Sequence, residues 1–166
     1  MKTLIIDKLP RITKNRKKLE KELNIKIANR GKEVSISGNP EDEYIAEKVI
    51  DALDIGFPLS KALSIKNEDC DLEILNIKDY TKRHDLNRIR GRLIGKKGKA
   101  LSTLSHLTKC GFEIKDNKIG IIGDPECIKN AQESIISIIK GSKHSNVYSH
   151  LEKHQVKPVL DLGLKE

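Results

Sequence analysis

The chain repeats itself, and the repeat sets the architecture. Val34-Ser35-Ile36-Ser37-Gly38-Asn39-Pro40-Glu41 corresponds to Ile119-Gly120-Ile121-Ile122-Gly123-Asp124-Pro125-Glu126 at a constant offset of 85 residues. The same offset carries Ala46 onto Ala131, Ile50 onto Ile135, Leu53 onto Ile138 and Gly56 onto Gly141. Upstream, Ile25-Lys26-Ile27 matches Phe112-Glu113-Ile114 once two residues are gapped. A sequence built this way has two similar hydrophobic faces to bury, one per copy.

Each copy reads as strand, turn, strand, a Pro-Glu helix start, then helix. In the second copy Ile128, Ala131, Ile135, Ile138 and Ile139 recur on one helical stripe, and Ile45, Ala46, Val49, Ile50 and Leu53 do the same in the first. Asn39-Pro40-Glu41 and Asp124-Pro125-Glu126 suit helix starts: a capping side chain, proline in the first turn, and an acid facing the dipole. Gly56 and Gly141 suit the stops. Before these units, Leu101, Leu104, Leu107 and Thr108 form the buried face of a helix from about Lys99 to Lys109, and Leu19 and Leu23 mark one in Arg16–Leu23. Thr3–Ile6 and Leu72–Ile77 read as opening strands. The order per copy is therefore β-α-α-β-β-α, an α+β layer of three strands with three helices on one face. At 166 residues the chain has room for two such small domains. The boundaries expected are 1–66 with a connector helix near Pro58–Ser64, 67–143, and a C-terminal helix and tail over 144–166.

One loop carries chemistry. Arg90-Gly91-Arg92-Leu93-Ile94-Gly95-Lys96-Lys97-Gly98-Lys99 places a Gly-x-x-Gly with two internal lysines between two short helices. Glycine lacks the Cβ that blocks close approach and readily takes φ > 0, and amides at a helix start are anion donors. A nucleic-acid backbone suits all of this. Arg90, Arg92 and Lys99 would neutralise phosphates beside Lys96 and Lys97. Leu93, Ile94 and Ile114 are candidates for an apolar groove floor, while Ile121 reads better as core. A solvated basic turn is the plainer reading of the same loop.

Charge agrees with a polyanionic partner. The chain carries net charge +8, and it is segregated. Residues 8–32 hold ten basic and two acidic side chains, and residues 82–99 hold eight and one. Residues 41–54 reverse this, with six acids and only Lys48 basic. The five aromatics (Tyr44, Phe57, Tyr80, Phe112, Tyr148) are scattered, which argues against RNA-binding folds that stack bases on a sheet.

The order β-α-α-β-β-α with Gly-x-x-Gly between the first two helices resembles the type I KH domain. The second half is similar to something narrower. The run Arg90–Lys99, then Ile121-Ile122-Gly123, Ile139-Lys140-Gly141-Ser142-Lys143-His144 and Val147-Tyr148-Ser149-His150-Leu151-Glu152 resemble archaeal KH-repeat RNA-processing proteins. Those are related to the eukaryotic Partner-of-Nob family of small-subunit ribosome assembly factors, and Gly56-Phe57-Pro58-Leu59-Ser60-Lys61-Ala62-Leu63 resembles that family's connector. The resemblance implies a cytoplasmic, non-catalytic protein of ribosome biogenesis that binds the single-stranded 3′ end of precursor small-subunit rRNA. By the same resemblance its partners would be a Nob-type PIN-domain endonuclease and the alpha subunit of translation initiation factor two. The first copy departs from the pattern. It has no glycine before Gly31, so Pro10–Lys18 cannot form a Gly-x-x-Gly loop. That copy either holds RNA by side-chain charge, binds a protein, or braces its neighbour, and Arg16-Lys17-Lys18 reads equally as a solvated helix face.

Other classes fit less well. Neither a P-loop nor a dinucleotide fingerprint is matched. His150 and His154 have i, i+4 spacing but read as solvated tail residues, so no metal, cofactor or catalytic residue is expected. Cys70, Cys110 and Cys127 form no CxxC and read as reduced thiols. Met1–Ile6 lacks a signal-peptide layout and no run reaches membrane-spanning length, so a soluble intracellular protein is expected. The competing functional class is a protein-interaction adaptor for which RNA contact is secondary.

Overall fold

The computed structural model describes residues 1–154. The first unit runs β1 (Lys2–Ile5), α1 (Leu9–Thr13), α2 (Arg16–Leu23), β2 (Lys26–Arg30), β3 (Glu33–Ser37) and α3 (Pro40–Ile55). A connector helix, α4 (Leu59–Asn67), leads to β4 (Asp71–Asn76), α5 (Leu86–Ile94), α6 (Lys99–Thr108), β5 (Gly111–Lys115), β6 (Lys118–Gly123), α7 (Pro125–Ile139) and α8 (His144–Lys153). Both sheets are antiparallel and three-stranded, with orders β1-β3-β2 and β4-β6-β5. In each unit the last strand lies between the first two, so the two units share one topology.

Local chemistry explains the elements. Val34 and Ile36 alternate inward along β3 while Ser35 and Ser37 take the other face. Both long helices open with proline in the first turn and stop at glycine in a positive-φ conformation, Gly56 (φ +134°) and Gly141 (φ +105°). Asp124 caps α7 by accepting from the Glu126 amide at 3.0 Å. Asn39 makes no such bond at α3, contrary to the sequence expectation. Glu43 of the first turn instead accepts from the Gly38 amide at 3.1 Å and pairs with the amino group of Met1 at 3.1 Å. Those two contacts hold its carboxyl below the usual carboxylate range.

Two hydrophobic clusters form the core. One gathers the first unit with Phe57, Ala62, Leu63 and Ile65 of the connector, which continues as helix to Asn67 rather than stopping near Ser64. The other gathers α5, α6, α7 and the second sheet, and it takes in Val147 and Leu151 of α8. The C-terminal helix is thus part of the second core, while residues 155–166 of the expected tail lie outside the described residues. On α6, Leu104 and Thr108 are buried as expected, whereas Leu101 and Leu107 are half-buried.

The units are joined through β6. Ile119 and Ile121 belong to the second core, but Ile122 packs with the first, together with Leu72 of β4. Residues on opposite faces of one strand therefore serve different cores. Gly120 lies under the Phe57 ring: a Cβ there would sit 2.9 Å from Phe57 Cε2 and 3.2 Å from Ile55 Cδ1. An ion-pair cluster fastens the seam, where Lys115 Nζ of β5 reaches Asp7 at 2.9 Å and Asp54 at 3.1 Å. Asp54 is already fixed by accepting from the Asp7 and Lys8 amides at 3.0 and 2.9 Å.

Candidate nucleic-acid interface

Helix α5 is amphipathic, with Ile89 and Leu93 one turn apart on its buried stripe. It ends where Gly95 turns to φ +77°, ψ 175° and donates its amide to the Gly91 carbonyl at 2.8 Å. Lys96–Gly98 form a single 3₁₀ turn, within which Lys97 (φ +56°) and Gly98 (φ +74°) are both left-handed. Three positive-φ residues in four reverse the chain tightly and deliver it into α6. The loop fits closely on its own side: a Cβ at Gly95 would meet Ala100 Cβ at 2.5 Å and the Ala100 amide nitrogen at 2.7 Å. Gly98 has nothing within 4 Å of a built Cβ, so its outer face is open. It precedes α6 without a side-chain cap. Lys96, Lys97 and Lys99 are all exposed around this turn.

The other sequence-selected residues divide. Ile94 projects from the end of α5 with 38% of its surface exposed, and Ile114 of β5 is half-buried at the edge of the second core. Leu93 has no exposed surface and sits wholly in the core, because it continues the Ile89 stripe. It is therefore not part of a groove floor. Ile121 is core, as expected.

The arginines are more committed than the sequence suggests. Arg90 donates to the Asp116 carbonyl at 2.8 Å and also bonds Asn87, so it ties α5 to the β5–β6 turn. Arg92 donates to the Ile138 and Ser142 carbonyls at 2.8 and 2.7 Å. Its guanidinium is spent on the C-terminal end of α7 rather than held out as a free phosphate contact. Arg88, which the sequence reading passed over, is exposed and lines a cleft with His84, Asp116 and Asn117. His144 and Tyr148 of α8 also reach the loop, although they lie about 50 residues downstream. Only the docking of α8 brings them there.

Burial pushes the Cys110 thiol up to about 11 and raises Cys127 as well, so neither is an activated nucleophile. His150 and His154 stack at 4.2 Å between ring centroids, and His154 Nδ1 donates to the His150 carbonyl at 2.9 Å. Among the described residues no group of three or more His, Cys, Asp or Glu is placed to hold a metal ion. No helix among them is long and apolar enough to cross a membrane.

Residues 71–156 match the family model of the PNO1 second KH domain, described as a eukaryotic-type KH domain (KH-domain type I). A KH domain-containing protein of Methanocaldococcus jannaschii is 28% identical over 149 residues, covering 86% of this chain and 66% of that protein. The pre-rRNA-processing protein PNO1 of Saccharomyces cerevisiae is 32% identical over 144 residues, covering 81% of this chain and 51% of its own length. The chain thus spans about half to two thirds of these two relatives. Among solved structures, the a/eIF2alpha-aDim2p-rRNA complex from Pyrococcus horikoshii contains a chain with TM-score 0.82 and 29% identity, with 92% of each chain covered.

Proposed function

Because the chain belongs to the PNO1 family of KH-domain proteins, we propose that it is a non-catalytic, single-stranded RNA-binding factor of small-subunit ribosome assembly. The second unit, residues 67–143, is the KH domain that grips RNA, and the first, residues 1–66, is a degenerate KH-like domain with the connector. The C-terminal helix and tail expected over 144–166 follow the second unit, and of these α8 (His144–Lys153) packs into the second core. The observation carrying this reading is the loop: three left-handed residues, an open outer face at Gly98 and three exposed lysines around one turn. A KH loop of this form clamps the backbone of about four nucleotides while the adjacent groove reads base edges. Here Lys96, Lys97 and Lys99 face phosphates, the Gly95–Gly98 backbone lies against the strand, and Ile94 and Ile114 form the apolar wall. Arg90 and Arg92 hold the frame. The RNA is the 3′ end of precursor small-subunit rRNA. The partners are a Nob-type PIN-domain endonuclease and the alpha subunit of translation initiation factor two, and the protein works in the cytoplasm. The Pyrococcus complex joins a relative to rRNA and a/eIF2alpha, which supports two of these assignments.

The test is charge reversal in the loop. Lys96→Asp with Lys97→Asp is expected to lower single-stranded RNA affinity by roughly 100-fold, with thermal stability unchanged, since both side chains are solvent-facing. Neutralising about three phosphates gives the wild type a log-log salt slope of about −2, and the variant a shallower one. Unchanged RNA affinity with intact capture of a protein partner would overturn the reading in favour of an adaptor. Cleavage of RNA by the pure protein with divalent metal would overturn its non-catalytic part.

A further inference from the structure

The loop has a second side. Arg92 reaches away from its own helix to the Ile138 carbonyl of α7 and the Ser142 carbonyl of the turn that follows, and His144 Nε2 donates back to the Arg92 carbonyl at 2.8 Å. With Val147 and Leu151 buried against α6 and α7, these bonds set the first turns of α8 beside the loop. Between them lies a cleft of about 350 Å³, separate from the Ile94 and Ile114 side. Its walls include Lys96 of the loop, Lys99 and Thr103 of α6, and the rings of His144 and Tyr148. None of its lining residues is acidic. The two rings meet edge to face, with centroids 5.9 Å apart and planes at 62°. Burial raises the Tyr148 hydroxyl above the ordinary phenol range, partly offset by its hydrogen bond with Thr103.

We propose that this cleft receives the base of one further nucleotide of the same RNA strand, stacked on Tyr148. This rests on the loop gripping RNA. Lys96 and Lys99 belong both to the loop and to the cleft, so a strand leaving the loop enters the cleft without losing its phosphate contacts. A cationic rim around an aromatic face is the combination a nucleotide needs, with charge for the phosphate and a ring for the base. Arg92 is then a positioning residue, which holds α8 in register with the loop.

The experiment compares a four-nucleotide RNA with RNAs extended by one nucleotide at either end, the added base being fluorescent 2-aminopurine. In the wild type the extended RNA is expected to bind about tenfold more tightly at one flank, with its fluorescence quenched. Tyr148→Phe keeps both effects. Tyr148→Ala removes the quenching and the tenfold gain, while affinity for the four-nucleotide RNA changes less than about twofold. Thr103→Glu places an acid on the cleft wall, leaves the α8 core residues in place and weakens only the extended RNA. If neither flank gains affinity or quenching, the cleft is not a base site and the loop reading stands. If Tyr148→Ala weakens both lengths equally, α8 merely braces the loop, which also overturns the proposal. If no RNA binds the wild type, the loop reading falls and takes this one with it.

Discussion

The two units solve the same helix-to-helix turn in opposite ways. Between α1 and α2 the chain passes through Lys14 (φ −64°) and Asn15 (φ −108°), both at negative φ. Asn15 Nδ2 donates to the Arg11 carbonyl at 2.8 Å, and the Asn15 carbonyl accepts from the Leu19 amide at 2.9 Å. That junction closes on itself. Between α5 and α6, Gly95, Lys97 and Gly98 are left-handed and Gly98 faces open space. One frame thus carries either a self-satisfied bend or one a polymer can lie against, and the choice is local, made by two glycines. Basic charge does not distinguish the two, since Lys17 and Lys18 are as exposed as Lys96 and Lys97.

The sheets differ too. At the 85-residue offset, Ser35 and Ser37 of β3 stand where β6 has Gly120 and Ile122. The serines are only half-buried, whereas Gly120 and Ile122 are buried under α3, Phe57 and α4. One sheet has a covered outer face and the other does not.

The loop comparison is broken most directly at Gly98. Gly98→Leu puts a branched side chain on the open face of a φ +74° residue. RNA affinity is expected to fall roughly 100-fold, at a cost of about 1–2 kcal/mol in stability for the left-handed backbone. Asn15→Leu in the first unit should leave RNA affinity within about twofold. Equal losses in a filter-binding titration would mean the two junctions are functionally alike. The sheet comparison is sharpened by valine at matched positions. Gly120→Val drives atoms into the buried Phe57 ring and is expected to cost about 2–3 kcal/mol in urea unfolding. Ser35→Val should stay within about 0.5 kcal/mol.

The smallest effect concerns α3, where Asp51 occupies the repeat position that Ile136 holds in α7. Burial, with Glu47 and Asp54 nearby, raises the Asp51 carboxyl to about 6 from an ordinary 3.8. The folded state therefore holds a proton that the unfolded chain releases near pH 4. Its contribution to stability falls as pH rises from about 4 to about 6. Asp51→Asn is expected to flatten that decline and to gain about 1 kcal/mol at pH 7, allowing for screening at its partly open side. Thermal melts across this pH range decide it, and parallel profiles for the two proteins would remove Asp51 from the account.

Much of this was legible beforehand. The helix stripe Ile128, Ala131, Ile135, Ile138, Ile139 is buried throughout, since periodicity reports directly on a helix face. The Gly95–Gly98 turn was legible because few residues other than glycine tolerate its backbone. Leu93 was misplaced because adjacent apolar residues at a helix end do not reveal which of them continues the stripe. Arg92 was read as a phosphate contact because a basic side chain in a basic run does not disclose an acceptor 46 or 50 residues away. Asn39 has the residue type and position of a cap but makes no capping bond, while Glu43 one turn on reaches back to the Gly38 amide before the helix, a contact that residue preference at one position does not disclose.

The sequence by itself determined the local order: two copies of one strand and helix succession, the helix stops, and a single glycine-framed turn ringed by lysine. Periodicity and φ preference are properties of a few neighbouring residues, so they can be read in one dimension. Only the tertiary structure decided that the first unit would cover the outer face of the second sheet, that Lys115 would clamp Asp7 and Asp54, and that α8 would bring Tyr148 to the back of the loop. Those depend on which buried surfaces of distant segments fit one another, and complementarity of shape and charge leaves no period in a sequence.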